Sequence, residues 1–357
     1  MLMDTSTASP PAAQARDSRR AIACWLLVCC AMVFVMVVLG GVTRLTHSGL
    51  SMVEWRPLTG ILPPLDEAEW RETFAKYQQY PEFQKLNRDM DLEDFKSIFW
   101  LEYLHRLWGR AIGVVFAAPF LWFLLRGAVD RWLAPKLIAM FVLGGLQGLM
   151  GWFMVKSGLF DRPDVSQYRL TAHLALAFLV YGYMLWVALG LLYREPAALR
   201  GSPPWLHRFA ILLTVLASIT VLSGGLVAGI DAGFAYNTFP LMDGRLVPGG
   251  LFEMTPLFIN AFENATLVQF DHRVLAIATV LLGVVLWLAA RRTALPARAR
   301  LAVRATVLAV VLQFGLGVAT LLTIVALPIA AAHQAGAMVV FSVLLWLVFE
   351  SRKGDSA

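Results

Sequence analysis

The sequence predicts an all-α polytopic membrane protein, eight transmembrane helices forming two pseudo-two-fold related four-helix bundles. Three observations lead there. Hydrophobic residues make up 59% of the chain and charged ones only 15%, far from the balance of a soluble domain. Apolar runs of membrane-spanning length recur along nearly all of it. The second half of the chain also repeats the landmarks of the first.

In order, residues 1–20 form a polar stretch that reads as a disordered tail. The first apolar run, roughly 21–43, is too long for a secretory signal and has no small-residue cleavage site after it. A loop over 44–100 follows, and its segment "PPLDEAEWRETFAKYQQYPEFQKL" predicts one or two short amphipathic helices on the membrane surface. Further runs lie at roughly 104–125, 134–155 and 170–192, closing an N-terminal half over 21–193. The remaining runs, at roughly 206–229, 269–290, 301–323 and 328–349, make a C-terminal half over 206–350, with a short tail at 351–357.

Basic residues gather in alternate connections: Arg16, Arg19 and Arg20; Arg126, Arg131 and Lys136; Arg194, Arg200 and Arg208. They recur at Arg291, Arg292, Arg298, Arg300 and Arg304, then at Arg352 and Lys353. The positive-inside rule therefore places both termini on the cytoplasmic side and the 44–100 loop outside. The net charge of +6 reports this topology, and no nucleic-acid partner is expected. Cys24, Cys29 and Cys30 all fall in the first run, which supports neither a disulfide framework nor a thiolate metal site.

The repeat has four landmarks. "GGVTRLTHSGL" from Gly40 answers "GGLVAGIDAGF" from Gly224, and "LHRLWGR" from Leu104 answers "DHRVLA" from Asp271. Gln147 with Gly151 answers Gln313 with Gly317, and "RLTAHLALA" answers "IAAAHQAGA". Four spans separate each helix from its copy, so both copies cross the bilayer in one direction, as in a parallel repeat.

Four of the six histidines occupy these landmarks: His105, His173, His272 and His333. Each opens an even-numbered span, so the two in each half run side by side at one depth. Facing imidazoles inside a four-helix unit suit bis-histidine haem ligation. A lone histidine in a membrane commonly serves as a hydrogen-bonding partner between helices, but four at repeated positions are costly to keep for that purpose. His47 and His207 do not repeat, and read as a loop and an interfacial residue. Arg106 and Arg273 follow the histidines in both halves; either they clamp haem propionates or they snorkel to the interface. Glu102, one turn before His105, is replaced in the second copy by Gln269. A carboxylate there can take a proton or stabilise positive charge, whereas an amide cannot. The competing reading is a carboxylate favoured simply by a helix N-terminus.

Together, "GGVTRLTHSGLSMVEWRPLTGILPPL", "EYLHRLWGR", "AGFAYNTFPLMDGRLVP", "FDHRVLA" and "AAHQAGA" resemble the haem A synthase family, in its proteobacterial and mitochondrial branch. The resemblance runs from about Ala21 to Glu350, and "YNTFPLMDG" (Tyr236 to Gly244) is its most specific motif. It implies a bacterial inner-membrane enzyme that oxidises the C8 methyl of haem O to a formyl group by successive hydroxylations, giving haem A for cytochrome oxidase. It implies a resident haem b on His272 and His333, a substrate haem between His105 and His173, and Glu102 as the essential carboxylate. It also implies an unidentified electron donor, with haem O synthase, cytochrome oxidase assembly factors and a second copy of the chain as candidate partners. Some members carry cysteine pairs in the external loops; this chain does not. From another class, a di-haem b-type electron carrier would use the same four histidines without a substrate. A transporter would place its polar residues near the bilayer midplane, whereas here they crowd to one face.

Overall fold

The computed structural model describes residues 12–55, 60–160, 163–193 and 202–352. In chain order the helices are α1 (Ala12–Leu45), α2 (Glu67–Tyr77), α3 (Pro81–Lys85), α4 (Leu92–Leu125), α5 (Ala134–Gly158) and α6 (Gln167–Leu192). Then come α7 (Pro204–Gly229), α8 (Asn260–Glu263), α9 (Ala265–Arg291), α10 (Ala297–Leu322) and α11 (Leu327–Ser351). Eight of these, α1, α4, α5, α6, α7, α9, α10 and α11, are long and apolar enough to cross a membrane. The chain is a multi-pass membrane protein. Helices suit that solvent because each satisfies its backbone polar groups within its own segment. Proline stands in the first turn of α5, α7 and α11, where its missing N–H has no intrahelical partner to lose.

Packing follows the repeat. In the first half α1 touches α4 and α6, and α5 touches α4 and α6. In the second half α7 touches α9 and α11, and α10 touches α9 and α11. Each set of four closes a ring, and the rings meet through α6 with α7, α1 with α11, and α6 with α11. Leu26, Cys29, Leu137 and Met140 belong to the first core, and Leu206, Leu213, Val303 and Leu344 to the second.

The glycine pairs serve both kinds of contact. A Cβ on Gly41 would overlap the Gln334 side chain, which reaches from α11 to donate to Val37 O at 2.9 Å. A Cβ on Gly225 would meet Thr171 Oγ1 at 2.9 Å and Leu174 at 3.4 Å, both on α6. The second glycine of each pair thus admits the other half, as small residues do at membrane helix crossings.

Three boundaries differ from the sequence-based expectation. The tail expected to be disordered over 1–20 is helical from Ala12; residues 1–11 lie outside the described residues. Ala12, Ala13, Gln14 and Ala15 are good helix formers, and Arg19 anchors this end to Asp130 at 2.6 Å. Secondly, α4 starts at Leu92, three turns before the apolar run, because Asp91 and Asp94 form a capping box there. Thirdly, the two loop helices exist, but α4 covers their apolar faces. Trp70 and Tyr77 of α2 pack on Phe95, Phe99 and Tyr103, with Trp70 and Phe99 edge to face at 4.9 Å.

Candidate functional site

Each repeated histidine rests against a glycine of a neighbouring helix. A Cβ added at Gly40 would stand 3.2 Å from His105 Nε2, and one at Gly224 would stand 3.1 Å from His272 Cε1. On the partner helices, a Cβ at Gly151 would lie 3.1 Å from His173 Cε1, and one at Gly317 would lie 2.9 Å from His333 Cε1. Such distances are too close for an ordinary carbon contact, so each glycine is the seat of an imidazole. All four histidines line one cavity of about 1040 Å³ whose walls come from all eight spanning helices.

Paired nitrogen donors in an apolar slot are the donor set of a bis-histidine haem. Elsewhere among the described residues, no three His, Cys, Asp or Glu side chains stand together as a metal site. In the second half the His272 and His333 ring centroids are 6.5 Å apart with the rings nearly perpendicular. That gap leaves room for one metal atom at the usual imidazole distance of about 2 Å from each ring. Ser223 Oγ donates to Thr220 O and lies 2.8 Å from His272 Nδ1. The hydroxyl is therefore placed to accept the Nδ1 proton, which leaves Nε2 unprotonated and able to serve as a ligand. Across the slot, Gln313 Nε2 lies 3.1 Å from His333 Nδ1 and 2.9 Å from the His333 carbonyl.

The first half departs from this scheme at matching positions. Leu39 stands where the second half has Ser223, and the His173 Nδ1 is buried with no hydrogen-bond partner. Gln147 does repeat the role of Gln313, donating to the His173 carbonyl at 3.1 Å. Gly144 and Gly148 line the cavity where the second half places Val310 and Phe314. A Cβ at either glycine would meet nothing within 4 Å, whereas Val310 is 3% exposed and packs on Gly283. At these two positions the wall beside His105 and His173 carries less side chain than its counterpart.

Glu102 is 2% exposed. One carboxylate oxygen accepts from Ser51 Oγ and Met52 N, both at 2.7 Å, and the other accepts from Arg106 Nη2 at 2.5 Å. Arg106 also donates to the carbonyls of Met52 at 2.7 Å and Glu54 at 3.1 Å. In the second half Gln269 donates to Ala232 O and Tyr236 O, and Arg273 donates to Tyr236 O and Thr238 O. Carbonyls 52 and 54 correspond to 236 and 238 by the same offset that relates Gly40 to Gly224. Both arginines line the cavity, and both hold down the first residues of the loop after their half's first helix. Each arginine commits two hydrogen bonds to that loop, a role sequence reasoning missed. The Arg273 Nε is buried with no hydrogen-bond partner.

His47 lies in the turn after α1 with φ 51°, matched by Asp231 with φ 54° after α7. His207 pairs with Ser351 at 3.2 Å and does not line the cavity. Sequence reading did not assign Ser223, Gln147 or Gln313 to the site. The two glutamines were visible as recurring landmarks, and a polar residue repeated within an apolar span is the signal that finds them. Ser223 carries no such signal, since its counterpart is Leu39.

Residues 23–345 match the family model described as cytochrome oxidase assembly protein, COX15-CtaA. The chain belongs to this family. Among its relatives, a protein named "Heme A synthase" from Nitrosospira multiformis is 53% identical over 98% of this chain and 99% of its own length. Another of that name, from Rhodospirillum centenum, is 52% identical over 96% of this chain and 92% of its own. "Heme A synthase COX15" of Bos taurus is 46% identical over 98% of this chain and 85% of its own. A COX15-CtaA member thus carries its four repeated histidines on four glycine seats around a shared cavity.

Proposed function

We propose that this chain oxidises the C8 methyl of haem O to a formyl group by successive hydroxylation, giving haem A for cytochrome oxidase. The observation that carries the reading is the inequality of the two histidine pairs. His272, oriented by Ser223 and walled by Val310 and Phe314, suits with His333 a resident haem b. Such a group supplies one-electron redox chemistry when bound. His105 and His173 frame the lobe walled by Gly144 and Gly148, and a substrate that must arrive, turn over and leave suits a wall without side chains at those points. Glu102 carries negative charge at its rim, where it can accept a proton or stabilise positive charge developing on the substrate. Arg106 and Arg273 position the loop walls and present guanidinium charge to the haem propionates.

In this reading the two four-helix halves are related by a pseudo-two-fold axis along the membrane normal. The membrane is the bacterial inner membrane, with both termini cytoplasmic and the loops outside. Haem O synthase, cytochrome oxidase assembly factors, an electron donor and a second copy of the chain are the proposed partners. The test is to supply haem O in a host lacking haem A and to identify the haems extracted from its membranes. Haem A with the wild type, lost in Glu102→Gln while haem b persists, supports the proposal. Haem b alone, whatever the supply of haem O, overturns it in favour of a di-haem electron carrier.

A further inference from the structure

The loop side of the molecule holds a second buried carboxyl. Glu82, on α3, is 4% exposed. Tyr77 Oη donates to its Oε2 at 3.0 Å, and Asn87 Nδ2 donates to that hydroxyl at 2.8 Å. No cation pairs with Glu82 among the described residues, so a charge there is left without a counter-ion among them. Its position is distinctive: Glu82 and His47 are the two residues that line both the large cavity and a smaller one of about 350 Å³. Leu86, 61% exposed, lines the smaller cavity and brings it to the loop-side surface.

The groups acting on Glu82 come from several elements. Tyr77 belongs to α2, Glu102 to α4 and Asp164 to the connection between α5 and α6; His47, after α1, borders the same two cavities. Burial pushes the Glu82 carboxyl up to about 7; the Tyr77 bond works against the rise, while the charges of Glu102 and Asp164 add to it. A carboxyl of that kind both takes and gives a proton near neutral pH.

We propose that Glu82 is the proton-exchange residue between Glu102 and the water on the loop side, with the smaller cavity as the exit. The inference rests on the function proposed above for Glu102. A proton leaves the Glu102 carboxyl and joins the Glu82 carboxylate, one O–H bond breaking as another forms. Glu82 then passes it to water in the smaller cavity, and no electrons move in either step. Gln at this position keeps an oxygen to accept from Tyr77 and keeps the shape, so it separates proton exchange from structural support.

The full chain in lipid nanodiscs is the material for the test. Infrared difference spectra taken across the neutral range read the carboxyl C=O band directly, without turnover. A band titrating near 7 in the wild type and absent from Glu82→Gln supports the assignment; no such band in the wild type overturns it. Haem A formation from haem O is the second readout. We expect Glu82→Gln to slow it at least about tenfold and to flatten its pH profile, with resident haem unchanged and Glu82→Asp restoring most of the rate. A Glu82→Gln variant with the wild-type rate and pH profile overturns the relay. If the wild type forms no haem A, the functional proposal fails, and the infrared titration still decides whether Glu82 exchanges its proton.

Discussion

Ser223 Oγ stands 2.8 Å from His272 Nδ1 while giving its own proton to Thr220 O, and the first half has Leu39 in its place. Partners of this kind set the tautomer of a ligating imidazole, and their loss lowers metal affinity about 10- to 100-fold. Under the proposed function, Ser223→Ala is therefore expected to release resident haem more readily, read as haem retained through detergent washing. Leu39→Ser, which installs the same hydroxyl beside His105, should leave resident haem untouched.

The glycine seats predict a second contrast. Gly317→Ala places a methyl 2.9 Å from His333 Cε1 and Gly224→Ala places one 3.1 Å from His272 Cε1. Both should yield protein that inserts in the membrane yet lacks resident haem by pyridine haemochrome assay. Gly144→Ala meets open space and should retain it.

Copying the second half into the first gives a third expectation. Gly144→Val with Gly148→Phe reproduces Val310 and Phe314 and adds their bulk to the wall beside His105 and His173. Resident haem should remain at wild-type levels while haem O binding and conversion fall at least about tenfold, the cost of overfilling a shaped site being about 1–3 kcal/mol. Equal loss of both haems would show that the lobes do not divide the work.

Glu102 and Arg106 should separate chemistry from architecture. Glu102→Gln copies Gln269, whose Oε1 still accepts from its arginine at 3.3 Å, so residues 46–55 should stay docked while haem A disappears. Arg106→Ala strips the donors to Met52, Glu54 and Glu102 and leaves a buried carboxylate without its cation, at a cost of about 3–5 kcal/mol. Limited proteolysis of the loop before α4 should detect loosening in Arg106→Ala and none in Glu102→Gln.

Glu82 makes the loop pH-sensitive. The folded chain holds this proton to about pH 7 against an ordinary value of 4.5. The stabilisation it contributes is complete below the unfolded value and is lost as pH rises through about 7. The total is on the order of 3 kcal/mol. Hydrogen exchange across α2 and α3 should therefore quicken from acid to alkaline pH in the wild type beyond its intrinsic rise, and that excess should vanish in Glu82→Gln.

Much of this molecule was legible before its structure. Apolar runs marked the eight spans, and His105, His173, His272 and His333 stood out because each recurred at a landmark. What stayed hidden depends on chain folding back over tens of residues. Nothing local in "LHRLWGR" says that Arg106 will reach the Met52 and Glu54 carbonyls, or that Glu102 will be closed in by Ser51. The early start of α4 escaped the hydropathy signal because "DLEDF" is polar, and its cap at Asp91 precedes the apolar run by three turns. Glu82 looked like one more charge in an amphipathic loop helix until Tyr77 and α4 were seen to bury it.

The dipeptide Gly40–Gly41, and its copy Gly224–Gly225, sets a limit on how this chain can change. One glycine of each pair seats an imidazole within its own half, and the next admits a side chain from the other half. Adjacent residues on a helix point about 100° apart, so the two demands fall on different neighbours, and no single compensating substitution relieves both. A helix shift that made room for a larger residue at Gly41 would drag Gly40 across His105. The seating of the imidazoles and the junction between the two halves are thereby inherited as one trait.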